Sequence, residues 1–190
     1  PGDIHMDLMA AGKLEDMYYA DTIAQNQWTT ETAWWYRREF VVSELNEITE
    51  LVLKGIDTYA RIYLNECEIG RTENMLREYR FDISDQLNLD TSNTLLICVE
   101  PISIAMQQFD PKPYKACFND HRIFTRKAQF HFGWDWAPNC PGTGIWESVY
   151  LESYDRVCFD SHNIKTHCDG AVSFFIHLKD VAKDGGLQNL

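Results

Sequence analysis

Basic residues are scarce in this chain of 190: 17 Lys and Arg stand against 29 Asp and Glu, giving a net charge of −12. No basic run exceeds the pairs Arg37-Arg38 and Arg126-Lys127, so a polyphosphate would be repelled and nucleic acid is not an expected partner. Long apolar runs are missing as well, and none approaches the ~20 residues that span a bilayer, so no membrane segment is expected. C-x-x-C pairs, phosphate-cradling glycine loops and internal repeats do not occur. Six cysteines, Cys67, Cys98, Cys117, Cys140, Cys158 and Cys168, fall at irregular spacings without regular His partners, which argues against a metal site. They are too few for a disulfide scaffold and read as small buried thiols of a reducing compartment, which favours the cytoplasm.

What is present is the balance of a chain that buries a core, with 45% apolar and 24% charged residues. Six Trp, nine Tyr and ten Phe suit both strands and carbohydrate sites. The length accommodates one ordinary domain and the beginning of another. Pro1-Gly2-Asp3 reads as part of a turn, and Ala182 to Gly186 as a hydrophilic turn that leads nowhere, so both ends look cut.

Short β-like runs separated by turn residues dominate the chain and predict an all-β sandwich. Candidate strands are Trp35 to Val42, Glu50 to Leu53, Tyr59 to Leu64, Arg77 to Phe81, Thr94 to Val99 and Val149 to Glu152. Asn65-Glu66 reads as a hairpin connection. Two stretches depart from this: Ile4, Leu8, Ala11 and Leu14 recur like one face of a helix over 4–16, and Asp120 could cap a helical turn over 121–127. Alternation restarts after Tyr154-Asp155, with Val172, Phe174, Ile176 and Leu178 on one strand face. The expected domains are therefore 1–154 and 155–190. The second has too few residues to bury a core alone.

The stretch Phe132 to Trp146, FGWDWAPNCPGTGIW, places one carboxylate between two indoles and follows it with chain breakers. Trp134, Trp136 and Trp146 could simply pack. Asp135 is harder to dismiss, because a carboxylate among indoles loses solvation unless a donor meets it, from inside the protein or from a ligand. A sugar fits that description, offering C–H faces to aromatic rings and hydroxyls to an acceptor. His131, between Phe130 and Phe132, could orient the loop or could be structural.

The run Arg126 to Trp136, RKAQFHFGWDW, ending at Gly144-Ile145-Trp146, resembles the β-mannosidases of glycoside hydrolase family 2. The opening resembles them too: Pro1 to Leu8, Gly12, Asp16, Tyr18-Tyr19, Asn26, Trp28 and Trp34 to Phe40. The resemblance implies a jelly-roll, galactose-binding-like sandwich followed by the first strands of an immunoglobulin-like domain. It implies a downstream TIM barrel carrying two catalytic glutamates, with the sandwich against its mouth. Asp135 would then accept hydrogen bonds from a terminal β-D-mannose, with Trp134 and Trp136 as its wall. Met17, Ala20, Asn65-Glu66, Ala137 and Glu147 depart from the family's usual residues, and Glu147 reverses a charge near the rim.

The resemblance places no catalytic residue in this chain. A retaining glycosidase needs two carboxyl groups about 5–5.5 Å apart, and the barrel that holds them takes about 250 residues. Asn46-Glu47 and Asn65-Glu66 fall in sandwich turns and read as solvated. No cofactor is implied. The expected function is the non-catalytic, substrate-recognising part of a retaining exo-β-mannosidase. The alternatives are a sister glycosidase (β-galactosidase, β-glucuronidase or exo-glucosaminidase), a free-standing carbohydrate-binding module, or plain scaffolding.

Overall fold

A computed structural model describes residues 2–155 and 157–180; the turn read over Ala182 to Gly186 lies outside them. The strands are β1 (Trp34–Val41), β2 (Ile48–Leu53), β3 (Ile56–Asp57), β4 (Ala60–Leu64), β5 (Cys67–Thr72), β6 (Tyr79–Asp82), β7 (Ser92–Val99), β8 (Phe132–Trp134), β9 (Ala137–Asn139), β10 (Gly144–Ile145), β11 (Val149–Tyr154), β12 (Val157–Thr166) and β13 (Val172–Asp180). Among the described residues three short α-helices interrupt them: α1 (Ile4–Ala10), α2 (Thr22–Gln25) and α3 (Ile102–Gln107). No helix among the described residues is long and apolar enough to cross a membrane.

Two antiparallel sheets enclose the core. One has the order β1-β7-β4-β5 and the other β11-β2-β6. Period-two patterning explains which side chains face inward. Ala60, Ile62 and Leu64 of β4 are buried, whereas Arg61 and Tyr63 between them are not. In β7, Leu95, Ile97 and Val99 join them, and Leu51 and Leu53 of β2 close the layer from the other sheet. Val149 and Leu151 of β11 pack on this cluster. Each fully buried aliphatic side chain contributes roughly 1.5–3 kcal/mol. The fold is the expected all-β, galactose-binding-like jelly roll.

The Asn65-Glu66 connection is a two-residue turn, since Leu64 pairs with Cys67. Both residues have positive φ, 48° and 70°, which matches the twist of the flanking strands. Asn65 suits this position, and its side chain bonds Asn93 Oδ1 and Gln86 O at 2.8 Å each. Glu66 gains no such compensation from its side chain, and the helix expected over 4–16 is also shorter than its apolar spacing suggested. Helix α1 is capped by Asp3, which accepts from the Met6 amide at 3.0 Å. It stops before Gly12, whose φ of +65° turns the chain away. The turn near residue 120 is a 3-10 helix, Asp120–Phe124, and its cap is Asn119, not Asp120. Asp120 instead accepts from the Ala116 amide.

After β11 the chain forms β12 and β13, which pair with each other and with no other strand among the described residues. Cross-strand partners share a face, so Ile164 with Phe174 and Phe159 with Leu178 build one apolar side. Phe159, Ile164, Phe174 and Ile176 remain exposed on it.

Candidate functional site

Strands β8 and β9 form a hairpin in which Trp134 pairs with Ala137, leaving Asp135 and Trp136 as its two-residue turn. Gly133 has φ +96°, a conformation that a side chain would oppose. Asp135 is exposed at the tip, and no ion pair to another described residue holds it. Its neighbours are anchored differently. Trp134 packs against Phe118 at 5.5 Å between centroids and lies 5.3 Å from the Arg122 guanidinium. Trp136, 69% exposed, leans on Phe130 at 5.6 Å.

The hairpin is one wall of a cleft of about 550 Å³. Met6 and Met9 of α1 and the segment Asp16 to Tyr18 form another wall, and His5, Pro138, Cys140 and Trp146 are among the other lining residues. Of the three residues singled out in the sequence, only Trp136 lines this cleft. Asp135 stands beyond it at the hairpin tip, and Trp134 turns to Phe118 and Arg122.

Buried polar contacts fix the hairpin to the sandwich. Lys127 is buried, and its ammonium donates to Asp57 Oδ2 and, at 2.6 Å, to Gly142 O. Burial holds the Lys127 pKa below its ordinary value, although Asp57 opposes that shift. Asp57 also accepts from the Thr58 hydroxyl, and its carbonyl accepts from Thr143 Oγ1 at 2.6 Å. One ion pair thus ties the start of the hairpin, its return segment and β3 together. Gln129 adds a second knot, its Nε2 within 3.1–3.2 Å of the carbonyls of Arg122, Thr125 and Lys127. Trp146 donates from Nε1 to Met75 O at 3.2 Å. Its indole lies so close to Gly55 that a Cβ there would meet it at 2.6 Å.

The N-terminal segment is tied to the same loop. The Ile4 amide donates to Thr143 O at 2.8 Å, and Gln27 Nε2 donates to Asn139 O at 3.0 Å. His5 lines the cleft but is largely buried, with Asp3, Thr29 and Cys140 around its ring. Burial disfavours its charged form, but Asp3 and Cys140 outweigh that and push its pKa up to about 9. His131 shifts the other way, lowered by burial and by nearby Lys127, and its buried Nδ1 has no hydrogen-bond partner among the described residues. A structural, neutral role fits it.

Sequence reasoning singled out the stretch from Phe132 to Trp146 as a loop, and found neither the β8–β9 hairpin within it nor its supports. Lys127 stood inside the family-like run and Asp57 some seventy residues away, with no local pattern joining them. His5 and Cys140 carried no recognisable spacing. Asn46-Glu47 lies exposed in the connection between β1 and β2, and Asn65-Glu66 is the turn described above.

Residues 1–147 match the family of glycosyl hydrolase 2 galactose-binding domain-like proteins. The chain is similar to beta-mannosidase B of Aspergillus niger, with 32% identity over 195 residues covering 97% of this chain and 23% of that protein. It is similar to the beta-mannosidase of Mus musculus at 32% identity, covering 84% of this chain and 20% of the relative. The solved beta-D-mannosidase of Dictyoglomus thermophilum superposes with a TM-score of 0.87 at 29% identity, over 95% of this chain and 23% of that one. The exo-chitosanase of Amycolatopsis orientalis shares the fold, with a TM-score of 0.64 at 16% identity over 94% of this chain and 20% of its own. The chain therefore spans about a quarter of the length of these relatives or less.

Proposed function

Since this chain belongs to the glycosyl hydrolase 2 galactose-binding-like family, we propose that it is the substrate-recognition part of a retaining exo-β-mannosidase whose catalytic carboxylates lie elsewhere in the whole protein. A terminal β-D-mannose would donate hydroxyl hydrogen bonds to Asp135, with Trp134 and Trp136 as the wall beside it. A downstream TIM barrel would meet this rim and complete the pocket. Residues 155–190 would begin an immunoglobulin-like domain between the two, which fits a β12–β13 hairpin with an uncovered apolar face.

The observation that carries this reading is a solvent-facing carboxylate at the tip of a two-residue turn whose flanking indoles are both anchored. The turn that carries the acceptor is set in place before a ligand arrives, so binding has only the Asp135 side chain to order there. Identity of 32% to proteins named as beta-mannosidases, against 16% to the exo-chitosanase, favours mannose as the sugar.

The test is hydrolysis of an aryl β-mannoside by the whole enzyme and its Asp135→Ala variant. A hydrogen bond to a charged group is worth about 1.5–3 kcal/mol, so kcat/KM should fall by about tenfold or more. The unfolding midpoint should not move, because the side chain is exposed. Unchanged kinetics would remove Asp135 from the site, and a loss of stability without a loss of turnover would favour scaffolding.

A further inference from the structure

Cys140 follows β9 at the base of the hairpin and lines the cleft. Its Sγ lies 3.9 Å from His5 Nε2, and His5 Nδ1 lies 3.6 Å from Asp3 Oδ2. The protonation of His5 follows from its partners. The Thr29 hydroxyl donates to Asn26 O at 2.8 Å, so Thr29 Oγ1 accepts from His5 Nε2, 2.9 Å away. Nε2 therefore carries a hydrogen. Nδ1 faces a carboxylate, which favours a second proton there. The ring beside the sulfur is then an imidazolium, in line with its raised pKa. The other cation in the neighbourhood, Lys127, is held on Asp57 and Gly142 O. A fixed cation in contact with sulfur stabilises the charge that a thiol develops as it attacks, which is how reactive cysteines are told from inert ones.

We propose that Cys140 is a modification site for small, uncharged disulfides entering the cleft, and that His5, oriented by Asp3, makes it the fastest-reacting thiol of the chain. In the exchange, Cys140 Sγ attacks one sulfur of the disulfide and the S–S bond breaks. A Cys140 mixed disulfide forms, and the other half leaves as a thiolate that takes up the cysteine's proton through solvent. Cys140 is oxidised, half of the reagent is reduced, and no further oxidant is needed. The adduct would stand in the cleft beside Trp136 until a thiol removes it.

Exposure alone ranks the cysteines differently. Cys67, Cys117 and Cys168 are exposed, whereas Cys140 is only half-buried at the cleft wall. The experiment treats the whole protein with bis(2-hydroxyethyl) disulfide at neutral pH, quenches with acid and reads each cysteine by peptide mass spectrometry. Cys140 should acquire the mixed disulfide about tenfold faster than the three exposed thiols. His5→Gln should bring it down to their rate or below while leaving theirs unchanged. Should that variant fail to fold, Asp3→Asn keeps a capping acceptor for α1 and should still slow Cys140 selectively. Labelling of Cys140 no faster than that of the exposed thiols, or an unchanged rate in a folded variant, would overturn the proposal. No sugar enters the assay, so its result stands apart from the mannoside reading.

Discussion

At the residue scale, the molecule depends on a few polar groups that have been taken out of water in pairs. Lys127 and Asp57 are the clearest case, because each loses solvation and is met by the other, with Gly142 O also accepting from Lys127 and the Thr58 hydroxyl also donating to Asp57. Removing one partner leaves a buried charge, so Lys127→Met should cost about 3–5 kcal/mol, read as a drop in the urea unfolding midpoint. Adding Asp57→Asn should return part of that loss, since the stranded charge is then gone. Equal destabilisation in the single and double variants would mean that packing, not charge, is what Lys127 contributes.

His5 supplies a pH dependence at the same scale. Its pKa is raised from an ordinary 6.5 to about 9, so the folded state binds a proton that the unfolded chain has lost in between. The stabilisation is complete below about 6.5 and disappears as pH climbs through 9. Comparing unfolding free energies at pH 6 and pH 9 should show the protein weakening at the higher value, and His5→Gln should flatten the difference. An equal fall in both proteins would assign the effect to other groups.

At the scale of elements, the β4–β5 and β8–β9 hairpins both close with two residues, but Asn65 and Glu66 have positive φ and Asp135 and Trp136 do not. The first joins two sandwich strands, and its second turn residue, Glu66, sits at φ 70° where glycine is the easier occupant. Glu66→Gly should therefore stabilise the protein by roughly 0.5–1 kcal/mol, the left-handed penalty relieved outweighing the entropy glycine adds to the unfolded chain. A thermal melt would record it as a rise of a few degrees, and a fall would show that Glu66 makes a contribution the backbone angle does not reveal. The second hairpin carries Asp135 outward on a turn whose roots are anchored by Gln129, Lys127 and Arg122.

At the scale of the whole molecule, stability is uneven. The core shared by β2, β4 and β7 buries Leu51, Leu53, Ile62, Leu64, Leu95, Ile97 and Val99, whereas β12 and β13 form a two-stranded ribbon with exposed Phe159, Phe174 and Ile176. Two strands alone are marginal in water. Hydrogen exchange on this chain should find the amides of β12 and β13 opening long before those of β4 and β7. In the whole protein the ribbon should gain protection if residues 155–190 open a further domain. Equal exchange in both settings would sink that domain assignment.

The sequence by itself determined the all-β class, most strand positions in the sandwich and the Asn65-Glu66 turn. These are local matters: alternation follows from the pleat, turns from allowed φ, and a run such as FGWDW is legible wherever it occurs. Short elements escaped, among them β3, β10 and α3, because two to six residues carry too little periodicity to announce themselves. Only the tertiary structure decided that Asn119 and not Asp120 caps its turn, that Trp136 and not Trp134 lines the cleft, and that Lys127 finds Asp57, and Cys140 finds His5, across 70 and 135 positions of chain. Such pairings exist because folding excludes water around groups that no sequence interval relates, and what remains for each buried charge is whichever partner the sandwich brings to it.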